Sequence, residues 1–153
     1  MKEKKNMSLV YEGLGFPVNL VNFPLRKILG EWTLDIDVNK LQMLVLQALI
    51  HKPAPLSGSE LKFIRKYLEI STSAFGKLFG VTHAAVLKWE NNRVHINPAT
   101  EVCIRLHVLD QLKAKDKEFR DLFRELKIES LLKHKKDKNT PIKIHVNEFS
   151  RAA

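Results

Sequence analysis

STSAFGKLFGVTHAAVLKWENNR, residues 71–93, is the stretch from which the rest of the chain can be read. Ser71 suits an N-cap, and Phe75, Leu78 and Phe79 give the helix behind it an apolar face. Gly80 follows, where a left-handed residue ends a helix sharply. Thr82 caps a second helix whose inward stripe is Val86 and Trp89. Ile70 with Phe75, and Val81 with Val86, have the spacing of hydrophobic staples. Gly76 stands where a crossing helix needs close approach, since glycine has no Cβ to obstruct it. A small residue, a turn glycine four positions on and apolar residues at Val81, Val86 and Trp89 make the pattern of a helix-turn-helix.

Working outward, Leu56-Ser57-Gly58-Ser59-Glu60-Leu61 opens a helix before this unit. Ser57 and Glu60 have capping-box spacing, Leu56 and Leu61 staple spacing, and Leu61, Ile64 and Leu68 form the buried stripe. After the unit, residues 91–96 read as a loop. Asn97-Pro98 supplies an N-cap and an N1 proline for a helix to about Leu112, with Val102, Leu106 and Leu109 facing inward. Cys103 on that helix reads as a small core residue.

On these residues the chain resembles the phage-repressor-like (XRE, Cro/cI-type) helix-turn-helix regulators, over roughly residues 56–112. The resemblance implies an ion pair between Arg65 and Glu90. Many members carry glutamine after the N-cap serine, where it touches a phosphate; here the residue is Thr72, whose hydroxyl has shorter reach. It further implies sequence-specific binding of double-stranded DNA by a dimeric transcriptional repressor.

In such a unit the second helix puts its first residues into the major groove. His83, Ala84 and Lys88 occupy its outer face by spacing. His83 can bond a base or a phosphate, Ala84 can touch a thymine methyl, and Lys88 can reach guanine O6 and N7. Thr72, Thr82, Asn91, Asn92 and Arg93 complete the expected DNA-binding set, with Thr72 and the three residues after the helix suited to phosphates.

The N-terminal part reads differently. Residues 8–14, 16–22, 24–29 and 31–37 are short runs rich in Val, Leu, Tyr and Phe, broken by glycines. Val18 and Leu20 alternate with Asn19, and Trp32, Leu34 and Ile36 with Thr33 and Asp35, so each predicts a strand with one buried face in a small antiparallel sheet. Pro17 and Pro24 suit strand ends or edges. Asp37 caps a helix to about His51, with Leu41, Leu44, Val45 and Ala48 at helical spacing, and Lys52–Leu56 is a stiff connector. YEGLGFPVNLVNFP, followed by the Gly30-Glu31 pair, resembles the N-terminal half of the MqsA/YgiT antitoxins over roughly residues 11–50. That resemblance implies an antitoxin that neutralises a small toxin protein and represses its own operon. The cysteine pairs that hold zinc in that family are absent, so the implied form has no zinc and is held by its own core.

The far end predicts an amphipathic helix over 113–135, with Phe119, Leu122, Phe123 and Leu126 on one face, then the basic run KHKKDK at 133–138. Ile142, Ile144 and Val146 alternate with Lys143 and His145 in a short strand whose partner is either the N-terminal sheet or a second subunit. The expected architecture is α+β, mostly α: a small β-sheet plus helix region at 1–52, the helix-turn-helix domain at 56–112, and a C-terminal helix, loop and strand at 113–153.

Composition sets bounds. The 153 residues carry a net charge of +9, which suits a polyanionic partner. Residues 59–112, however, hold seven basic and five acidic residues, against twelve and seven in 113–153. The DNA-binding reading therefore rests on the placement of residues and not on bulk charge. One cysteine makes neither an internal disulfide nor a cysteine-rich zinc site, and the six histidines form no HxxxH or HExxH set. Asp35 and Asp37 read as strand termination and helix capping, with no Gly-rich phosphate loop or nucleophile elbow elsewhere. The expectation is a non-enzymatic protein without metal or cofactor. No 18-residue apolar run and no signal-peptide core occur in the sequence, so the expected location is the cytoplasm, away from membranes. The alternative class is a protein-interaction module whose helix-turn-helix does not bind DNA.

Overall fold

Each cap read from the sequence starts a helix in the computed structural model, which describes residues 8–126, Leu131 and 141–146. The fold is α+β, mostly α, with six helices and two small sheets among the described residues. The expected basic run at 133–138 and the expected helix residues 127–130 and 132–135 lie outside the described residues.

The chain divides into two compact units. The first takes the described residues up to Ala48 and from Pro141. Its strands are β1 (Ser8–Tyr11), β2 (Val18–Val21), β3 (Leu25–Ile28), β4 (Glu31–Leu34) and β5 (Lys143–His145). β1 pairs antiparallel with β2 in the register Leu9 to Leu20, and β5 pairs parallel with the other edge of β2, Leu20 opposite Ile144. The C-terminal strand thus closes onto the N-terminal sheet within the same chain. Val18, Leu20, Ile144 and Val146 are buried, as alternation predicts for a sheet with one covered face. The β3–β4 hairpin departs from its reading: Trp32 is 42% exposed, and Leu34 and Ile36 are only half-buried. In place of a core contact, the Trp32 ring lies 5.9 Å from Lys27 Nζ. Leu29 (φ 50°) and Gly30 (φ 86°) make the two-residue turn.

Helix α1 (Val38–Ile50) begins where Asp37 Oδ1 accepts the Asn39 N–H at 2.9 Å. Its last two residues belong to the second unit, which runs from Leu49. That unit holds α2 (Gly58–Tyr67), α3 (Thr72–Leu78), α4 (His83–Glu90), α5 (Pro98–Gln111) and α6 (Asp116–Glu125). Its core joins Leu61, Phe75, Val86, Trp89 and Ile104, with Ile70, Phe79, Val81 and Ile96 packed against it. The Ser57–Glu60 capping box is complete on both sides. Asn97 Oδ1 accepts the Ala99 N–H, with Pro98 at the first helical position.

Three expectations on α5 and α6 need correction. The buried face of α5 is Glu101, Ile104, Arg105, Val108 and Leu109, while Val102 and Leu106 are half-buried. A carboxylate and a guanidinium, normally read as solvent-facing, take the inward positions. Cys103 is rotated outward by the same shift and is exposed. On α6, Leu122 is buried but Phe123 is 68% exposed.

The buried charges hold the connector. Arg105 Nη1 donates to Ile50 O at 2.9 Å and Lys52 O at 2.6 Å, and Nη2 to Ala54 O at 2.7 Å and Glu101 Oε2 at 2.8 Å. Glu101 Oε1 accepts the Leu56 N–H. Lys52, itself 4% exposed, pairs with Glu60 Oε1 at 2.8 Å. Burial pushes the Glu101 carboxyl up and the Arg105 guanidinium down, each partly offset by the other's charge. The proline-containing segment 52–56 is therefore fixed by backbone carbonyls that a buried cation satisfies.

Helices α2, α4 and α5 end in the same way. The residue after each C-cap is left-handed, Glu69 (φ 58°), Asn92 (φ 57°) and Lys113 (φ 55°). The next amide reaches back to Arg65 O, Lys88 O and Leu109 O respectively. Only α3 has glycine at this position, Gly80 at φ 69°.

Candidate nucleic-acid interface

Local chemistry fixes the α3–turn–α4 unit at both ends. Ser71 Oγ accepts the Ala74 N–H at 3.1 Å, and Thr82 Oγ1 accepts the Ala85 N–H at 3.1 Å. Gly80 lets the chain reverse so that the Val81 N–H bonds Gly76 O at 2.9 Å. A Cβ on Gly76 would stand 2.6 Å from Val81 O, so the close approach is to the turn and not to a crossing helix.

A second clamp sets α4 against α2. Arg65 Nε and Nη2 grip Glu90 Oε2 and Oε1 at 2.6 and 3.0 Å, and Arg65 Nη1 bonds Ile70 O at 3.0 Å. The Glu90 side chain is nearly buried, so this bidentate pair also fixes the helix rotation. At the other end of α2, a Cβ on Gly58 would lie 2.2 Å from Glu90 O, and the Gly58 N–H donates to Asn92 Oδ1 at 2.9 Å.

With Val86, Trp89 and Glu90 turned inward, His83, Ala84, Leu87 and Lys88 are exposed. The expected reading residues His83, Ala84 and Lys88 therefore share one outer face. Thr72 is half-buried, and its Oγ1 meets His83 Nδ1 at 2.5 Å, tying together the first residues of α3 and α4. Thr82 is exposed but its hydroxyl is the cap of α4. Asn91 and Arg93 are exposed at the end of α4. Asn92 is exposed as well, yet its Oδ1 and its left-handed backbone close the α4 terminus, a structural task that the sequence reading assigned to phosphate contact. Leu87, 39% exposed, also lies outside the inward stripe of Val86 and Trp89, and its sequence spacing assigned it no role.

Among the described residues no group of three His, Cys, Asp or Glu side chains could hold a metal ion, and no helix is long and apolar enough to cross a membrane. No family model matches the chain, and neither a curated protein nor a solved structure matches it significantly.

Proposed function

We propose that this protein binds double-stranded DNA sequence-specifically as a dimeric transcriptional regulator, with α3 and α4 as a phage-repressor-like helix-turn-helix. The reading is carried by the outer face of α4, where His83, Ala84 and Lys88 stand clear of the core on a helix whose rotation is fixed by Arg65–Glu90. A rigid element with a few converging polar groups is what base reading in the major groove requires. Thr72, Asn91 and Arg93 lie where they position the helix on phosphates, with His83 Nε2 free to face the groove while Nδ1 is held by Thr72. A repressor acting in the cytoplasm on its own operon, as an antitoxin, is the narrower form of this proposal and rests on the resemblance of residues 11–50.

Binding-site selection from random duplex DNA tests it. The expected result is an enriched pseudo-palindrome with half-sites about 10 bp apart or a multiple of that. No enrichment, and no shift of bulk genomic DNA at moderate salt, would remove the proposal. A second reading, a module that binds a protein partner and no DNA, is favoured by the β3–β4 hairpin, whose tip residue Leu29 is fully exposed beside exposed Ile28 and Trp32.

A further inference from the structure

Leu87 lies on α4 among the residues expected to read bases, outside the inward stripe of Val86 and Trp89. The inward stripe of the same helix is at most 8% exposed, while Leu87 is 39% exposed. At 3.6 residues per turn Leu87 stands about 40° from His83 and about 60° from Ala84 around the helix, between the two on the outer face. An apolar side chain there meets no hydrogen-bond donor or acceptor it can use. The base-edge group in the major groove that it complements is the thymine C5-methyl.

Resting on the DNA-binding reading above, we infer that Leu87 and Ala84 together read two thymine methyls on neighbouring base pairs of each half-site. The two residues are three apart, about 4.5 Å along the helix axis. That exceeds one base step of about 3.4 Å and falls short of two. Lys88, the next residue, places a guanine-reading ammonium beside the pair. The half-site is thus two adjacent T·A pairs flanked by G·C, a sequence preference set as much by methyl burial as by hydrogen bonding.

The experiment uses the full chain and the selected operator, with each thymine of a half-site replaced in turn by deoxyuridine, which lacks only the methyl. Wild type should lose about fourfold in affinity at two adjacent positions, the scale of one buried methyl group, and about fifteenfold when both half-sites carry the same replacement. In Leu87→Ala, checked for an unchanged melting temperature, one of these two penalties should disappear and the other persist. If no single thymine is sensitive in wild type, or if Leu87→Ala retains both penalties, the inference is overturned while DNA binding stands. If selection yields no site at all, the DNA-binding reading falls and takes the inference with it.

Discussion

Replacing Arg105 with methionine tests the claim that a buried cation holds the connector. The substitution keeps most of the side-chain volume and removes four hydrogen bonds. Ile50 O, Lys52 O, Ala54 O and Glu101 Oε2 lose their partner in a site where Arg105 is 0% exposed. Each orphaned group costs about 1–3 kcal/mol, which would total about 4–12 kcal/mol if nothing relaxed. Rearrangement of the connector, water entry and protonation of Glu101 reduce this, and removing one partner of a buried pair typically costs about 3–5 kcal/mol. A loss of about 4–6 kcal/mol is expected, a large part of the roughly 5–15 kcal/mol that holds a domain together. Urea unfolding followed by circular dichroism at 222 nm measures it. The discriminating variant is the double substitution Glu101→Leu with Arg105→Met. Buried ion pairs replaced by apolar residues are often neutral or more stable. Here three carbonyls and the Leu56 N–H would remain unpaired, so the double variant should still lose about 3 kcal/mol or more. A double variant as stable as wild type would refute the reasoning, since Arg105 would then be an ordinary ion-pair partner.

Gly58→Ala should destabilise the helical unit by about 1–3 kcal/mol in thermal unfolding, because its Cβ meets the Glu90 carbonyl at 2.2 Å and backbone must move. Burial holds Glu101 above its ordinary value of 4.5, so its contribution to stability is full below that pH and fades as pH rises through the folded-state value. Glu101→Gln should remove that slope from the stability–pH curve, and an unaltered slope would assign it elsewhere. Lys88→Ala should cost about 1–3 kcal/mol per half-site at the selected operator and relax one base preference. Arg93→Ala should weaken operator and scrambled DNA alike, lowering the salt slope by about one per subunit. Equal losses on both DNAs for Lys88→Ala would make it a phosphate contact.

Much of the helical unit could be read from local chemistry. Ser57, Ser71, Thr82 and Asn97 cap because a side-chain oxygen one residue before an apolar period has few other uses, and all four do so. Val86 and Trp89 turned inward as their spacing required, which left His83, Ala84 and Lys88 outside. The Arg65–Glu90 pair followed from the family resemblance and formed as implied. What stayed hidden depended on partners distant in sequence. Glu101 and Arg105 face inward because the carbonyls of residues 50–54 need donors there, and no helical period announces a buried charge. That inversion also misplaced Val102 and Cys103. Alternation around Trp32 reports a strand but not whether anything covers its face, and Trp32 is left 42% exposed. Asn92 reads as a phosphate contact from its place after α4, because nothing local reveals that the Gly58 N–H needs its Oδ1 as acceptor.

The left-handed residues after α2 and α5 bear on how the protein can change. Glu69 and Lys113 hold a conformation that costs an ordinary side chain about 1–2 kcal/mol relative to glycine. Both are exposed, and Lys113 lies well along the chain from α4. Glycine at either position would relieve that strain, less the extra freedom it gives the unfolded chain, for a net gain of several tenths of a kcal/mol. Such positions are mutational headroom. A change on the outer face of α4 that improves recognition and weakens the fold can be compensated at Lys113, without touching the face itself. If the outer face of α4 reads DNA as proposed, recognition and stability are therefore partly separable in this chain.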